Sequence, residues 1–226
     1  MTVAMRPKER GQGTLELALL HRSFKFGTRN AQPRAATRRT GARHRAARLE
    51  SEAEAFHPPP GLYDEVCSRF PFDLTEDQQS AIGDVLDDLA AGRPMDRLIC
   101  GDVGYGKTEI ALRSAFIMAM SGKQVAVVVP TTLLSRQHTQ TFRERFAGFP
   151  LEIGQLSRMV PAKEAAEVKD GLASGRVDIV IGTHAILGKT IKIKHLGMVV
   201  VDEEQHFGVV HKERLKAMRS QVHVLT

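Results

Sequence analysis

The sequence predicts a three-layer α/β domain with a mostly parallel sheet, and two observations carry that prediction. Short apolar runs, most of them rich in β-branched residues, recur at 97–100, 124–130, 151–156, 177–182, 197–202 and 222–226. Segments of helical period separate them, at 107–121, 132–146, 161–174 and 211–219. Strands that lack polar alternation are buried on both faces, which is the condition of a parallel sheet covered by helices.

From the N-terminus, residues 1–57 read as a basic, Arg-rich tail and linker. Residues 1–48 hold 12 Lys and Arg against two acids, so the remaining chain, with 20 against 24, is mildly acidic although the whole carries +6. The tail has few large apolar residues and cannot offset its chain entropy by burial, so disorder or partial helix is expected. Its composition also suits a nucleic-acid-binding arm or an Arg-rich transit peptide. Residues 49–56 are helix-compatible, and the three prolines that follow His57 impose an extended linker. The folded domain is expected over 58–226.

Thr75 is a good N-cap for a helix reaching about residue 91, with Glu76 and Asp77 in its first turn and Gly92 closing it. No apolar run approaches the ~20 residues of a membrane-spanning helix, and a cytoplasmic location is the default expectation. Cys67 and Cys100 lack metal-ligand or disulfide spacing and read as reduced packing residues.

The first apolar run delivers the chain into GDVGYGKT, which fits G-x-x-x-x-G-K-[ST] at Gly101, Gly106, Lys107 and Thr108. Asp102, Val103, Gly104 and Tyr105 form the loop between. Glycines let successive backbone N–H groups converge on phosphate oxygens, and the next helix adds the positive end of its dipole. Lys107 is expected to bridge the β- and γ-phosphates of ATP, and the Thr108 hydroxyl to ligate Mg²⁺. About a hundred residues on, the run at 197–202 ends in Asp202, followed by Glu203 and Glu204. In P-loop NTPases such an Asp holds the Mg²⁺ shell, and Glu203 is placed to polarise the attacking water. Glu204 receives no role.

DEEQ at 202–205 resembles motif II of the superfamily 2 helicases and translocases. FDLTEDQ (72–78), VVPTTLLSRQH (128–138) and IGTHAIL (181–187) resemble other motifs of that group in the same order. The stretch from 58 to 226 is similar to the first RecA-like lobe of the Mfd family of bacterial transcription-repair coupling factors. RecG-type branch-migration helicases are the alternative. They would carry Ser in place of Tyr105, PTEILA in place of PTTLLS and DEQHRFGV in place of DEEQHFGV.

The resemblance implies further roles. Gln78 would read the adenine edge, and Phe70 or Phe72 would stack on the base, although either ring suits a core as well. Gln205 would couple nucleotide state to DNA-facing motifs. Thr131, Thr132, Arg158 and Thr183 would face the DNA backbone, where hydroxyls and a guanidinium give sequence-independent contact. Thr131 and Thr132 equally suit a helix N-cap, and Arg158 an ordinary surface position. His184 and His206 read as packing residues. The family implies ATP-driven translocation on double-stranded DNA, displacement of stalled RNA polymerase and engagement of the excision-repair protein UvrA. It also implies a second RecA-like lobe and a motif III beyond Thr226. Without that lobe the chain is expected to bind nucleotide and DNA with little turnover.

Overall fold

The computed structural model describes residues 27–30, 53–101, 106–188, 190–203 and 221–226, together with residues 213, 215, 217 and 218, which are helical. In chain order the elements are β1 (Gly27–Asn30), α1 (Leu62–Ser68), α2 (Glu76–Ala90), β2 (Asp96–Cys100), α3 (Lys107–Met120), β3 (Gln124–Val128) and α4 (Thr132–Arg145). There follow β4 (Ile153–Leu156), α5 (Ala162–Ser174), β5 (Ile179–Gly182), a 3₁₀ turn (His184–Leu187), β6 (Leu196–Val201) and β7 (His223–Leu225). The strands form one sheet in the order β1-β2-β7-β6-β3-β5-β4. Every neighbouring pair is parallel except β1 with β2.

Side-chain alternation divides the buried residues between the two faces. Val125, Val127, Ile179, Ile181, Met198 and Val200 join one core cluster, with Ile110, Phe116 and Phe142 of α3 and α4. Ala126, Val128, Val180, Val199, Val201 and Val224 join the other, with Leu172 of α5 and Leu215. This two-sided burial is why the strands read as unbroken apolar runs.

Residues 27–30 pair antiparallel with β2, Gly27 opposite Cys100 and Asn30 opposite Arg97. Nothing in GTRN signals a strand, and the pairing depends on an edge far away in sequence. The rest of the expected tail up to residue 52 lies outside the described residues. Cys67 is half-buried, whereas Cys100, at the tip of β2, is exposed and not the packing residue expected.

One buried histidine gives the fold a pH dependence. His223 on β7 is 3% exposed. Its Nδ1 accepts from the Met95 N–H at 3.1 Å and its ring meets Phe56 edge-on at 5.5 Å. Among the described residues nothing accepts from Nε2. Burial therefore disfavours the imidazolium and lowers the pKa from 6.5 to about 4. Because the folded value lies below the unfolded one, this contribution is fully present above pH 6.5 and is lost as pH falls towards 4. The loss is on the order of 3 kcal/mol. Denaturant melts at pH 7 and pH 5 should show the decline, and His223→Asn, which keeps an acceptor for Met95, should flatten it. An unchanged slope in that variant would remove His223 as the cause.

Candidate functional site

The C-terminal ends of the parallel strands share one edge of the sheet, and the predicted residues sort along it by strand order. Lys107 and Thr108 follow β2, and Asp202 follows β6, with β7 between them. Two strand spacings put those ends about 10 Å apart. Thr131 and Thr132 follow β3, Thr183 follows β5 and Arg158 follows β4, on the three strands beyond β6.

The nucleotide half is built from two helix starts and one strand end. Thr75 caps α2 in a reciprocal box: the Gln78 N–H donates to Thr75 Oγ1 at 3.2 Å and the Thr75 N–H donates to Gln78 Oε1 at 2.9 Å. Gln78 is only 4% exposed. Gly106 has φ +72°, a conformation that favours glycine, and a Cβ there would crowd the movable amide end of Gln78. The expected adenine reader thus packs against the phosphate loop, with its amide oxygen committed to the helix cap. Arg97 on β2 ties α2 to the same strand through Asp84 at 2.9 Å and Asp88 at 2.6 Å. Phe72 is 37% exposed and edge-packed on Phe70 at 5.5 Å, as a stacking platform requires.

Lys107 opens α3 and its ammonium donates to the Gly101 carbonyl, spanning the base of the loop. Asp102, Val103, Gly104 and Tyr105 lie outside the described residues, as do Glu204, Gln205 and His206. At the end of β6 the Asp202 N–H donates to the Val128 carbonyl at 2.8 Å, the last rung of the β3–β6 ladder. Glu203 then turns into the left-handed region at φ +57°, the sole non-glycine residue with positive φ among those described. The turn breaks the strand's alternation, so the two carboxylates are not presented as successive strand residues.

These residues fit ATP with Mg²⁺. A loop whose last glycine holds a positive φ, an ammonium and a hydroxyl at the helix start, and a carboxylate two strands away match a triphosphate and a hard cation that keeps part of its water shell.

On the other half, Thr131 is exposed and its hydroxyl accepts from the Leu134 N–H at 3.2 Å, so it caps α4. Arg158 is exposed in the turn after β4, and Leu133 (64%) and Met159 (77%) beside this set are open to solvent. Thr183 is 8% exposed and precedes the 3₁₀ turn, where its carbonyl accepts from the Ile186 N–H at 3.0 Å. It offers a ligand less surface than the other three. His184 is exposed and is not the packing residue expected.

A family model described as DEAD/DEAH box helicase matches residues 75–226. The chain belongs to the DEAD/DEAH box helicase family. Within it, the transcription-repair-coupling factor of Staphylococcus epidermidis is 57% identical over 157 residues, which cover 70% of this chain and 13% of that protein. The factor of Bacillus subtilis is 51% identical over 181 residues, covering 80% of this chain and 15% of its own length. The chain therefore matches a small part of these relatives, and that part is a helicase lobe. A solved structure of RecG bound to a three-way DNA junction superposes with a TM-score of 0.69 at 32% identity, over 81% of this chain and 24% of that one. A hypothetical ATP-dependent RNA helicase from Sulfolobus tokodaii, at 19% identity and a TM-score of 0.55, shares the fold.

In this helicase lobe, two features escaped the sequence reading. His138 on α4 lies across from Asp202, its Nε2 3.7 Å from Asp202 Oδ2. Its position on the same inward stripe as Ser135, Thr139 and Phe142 is the available clue. Glu109, on the first turn of α3, is buried between two guanidinium groups, those of Arg113 and Arg145. Arg113 stands at i+4, but Arg145 is 36 residues away and no local pattern points to it.

Proposed function

We propose that this chain is the ATP-binding lobe of a double-stranded-DNA translocase of the transcription-repair coupling type. The observation that carries the reading is the division of one sheet edge into a phosphate-and-metal half after β2 and β6 and a hydroxyl-and-guanidinium half after β3 and β4. The 51–57% identity to transcription-repair-coupling factors supports that type over others in the family.

In this reading, backbone N–H groups of the phosphate loop and Lys107 neutralise the triphosphate, while Thr108 and Asp202 would hold Mg²⁺, which would supply charge stabilisation at the γ-phosphate. Glu203 takes a proton from the attacking water. Phe72, or Phe70 behind it, stacks on the base, and Gln78 reads its edge through its side-chain amide. Gln205 relays nucleotide state towards DNA. Thr131, Thr132 and Arg158 grip phosphates without reading sequence, and Thr183 contributes chiefly through its backbone. In the intact protein the two lobes move along duplex DNA in the cytoplasm, dislodge stalled RNA polymerase and bring in UvrA.

The test joins these residues to the second lobe and measures ATPase with and without duplex DNA, then release of RNA polymerase from a stalled complex. Duplex-stimulated turnover with polymerase release is expected. Unwinding of a three-way junction without polymerase release would give the function to RecG-type branch migration instead. Residues 1–226 alone should bind nucleotide yet turn it over at least ~10³-fold more slowly, because the arginines that stabilise the transferred phosphoryl come from the second lobe.

A further inference from the structure

His138 sits where the two halves of the edge meet. It lies on α4, the helix that Thr131 caps, and faces the end of β6. Its side chain is 14% exposed, against 33% for Asp202, so it occupies the inner side of the carboxylate. An imidazole can offer an N–H to a carboxylate whether it is neutral or charged. At 3.7 Å the Nε2–Oδ2 contact is longer than a hydrogen bond, and rotation about the soft terminal torsion of Asp202 can close it.

We propose that His138 is a positioning residue for Asp202: it holds one carboxylate oxygen from inside the fold so that the other is presented to Mg²⁺. The proposal rests on Asp202 being the metal-shell carboxylate. A carboxylate at the tip of a strand is free to rotate, and a ligand that must find its orientation at each binding event binds more weakly. A fixed outer partner removes that freedom, and loss of such partners costs metal sites about 10–100-fold in affinity. The placement also gives α4 a direct hold on the metal shell, since the helix that begins at the phosphate-facing threonines ends its second turn at this imidazole.

The experiment titrates Mg²⁺ against binding of a fluorescent ATP analogue to the 226-residue chain, which reads metal affinity without turnover. His138→Ala should raise the half-saturating Mg²⁺ concentration about 10–100-fold while binding measured without Mg²⁺ stays as in the wild type. His138→Gln, which retains a donor of similar reach, should recover most of the difference. Asp202→Asn separates the two levels of the reading. If it leaves the Mg²⁺ dependence intact, Asp202 is not the metal-shell residue and the underlying assignment fails. If Asp202→Asn abolishes the dependence while both His138 variants titrate like the wild type, His138 only fills space and the proposal is overturned. Should His138→Ala fail to fold, the Gln variant and a His138→Leu variant carry the same comparison.

Discussion

Glu203→Gln, in the protein carrying both lobes, is expected to lower DNA-stimulated ATP turnover by ~10²–10⁴ while nucleotide affinity stays near that of the wild type. The amide keeps the size of the carboxylate and gives up only its ability to take a proton. Lys107→Ala should show the opposite division. It removes an ammonium that binds the ground state, so affinity for Mg²⁺-ATP falls by ~10–100-fold, the value of one or two charge-assisted hydrogen bonds. Glu203 also carries backbone strain. Holding a non-glycine residue at φ +57° costs on the order of 1–2 kcal/mol, and the chain accepts that cost immediately after the last rung of the β3–β6 ladder. Glu203→Gly relieves the strain and should therefore fold at least as well, yet hydrolyse as poorly as the Gln variant. Equilibrium nucleotide binding beside single-turnover hydrolysis distinguishes these outcomes. Near-normal hydrolysis by Glu203→Gln would rule out Glu203 as the base.

Much of this site could be read before the fold was known, because its parts are local. Gly101, Gly104 and Gly106 mark the expected phosphate loop in the sequence, and Gly106 at φ +72° takes a conformation that other residues avoid. Helix and strand limits fall within one or two residues of the apolar patterns for α2 to α5, because both periodicity and capping are short-range properties. Non-local pairing was hidden. The last strand in the chain, β7, inserts between β2 and β6, and so sets the separation of the phosphate loop from Asp202. Nothing within VHVLT indicates that position. Strand β1 and the His138–Asp202 contact were invisible for the same reason. Thr183 shows the converse limit. A motif assigned it to DNA contact, but its burial beside the 3₁₀ turn reduces what its hydroxyl can touch.

Glu109→Ala should cost 3–5 kcal/mol of stability, the usual penalty for stranding buried cations. Glu109 is 4% exposed. It accepts from Arg113 Nε at 2.7 Å and from both terminal nitrogens of Arg145 at 2.9 and 3.0 Å. Arg145 also donates to the Val66 carbonyl at 2.9 Å, and Arg69 donates to the Arg145 and Ala147 carbonyls at 2.9 and 2.6 Å. One carboxylate thus joins α3 to the C-terminal end of α4 and, through Arg145, to α1. Its removal leaves two guanidinium groups, each near 10% exposed, without their counter-charge. For a domain of this size the melting temperature should drop by roughly 6–20 °C, read by circular dichroism. Replacing Glu109, Arg113 and Arg145 together by Leu, Met and Met should recover most of that loss, since well-packed apolar side chains often equal or exceed a buried ion pair in stability. Recovery by the triple variant would show that the network fixes how α3 and α4 meet rather than how strongly the domain folds. A single-variant cost below about 1 kcal/mol would mean that water reaches the arginines and that the cluster is a surface network in effect.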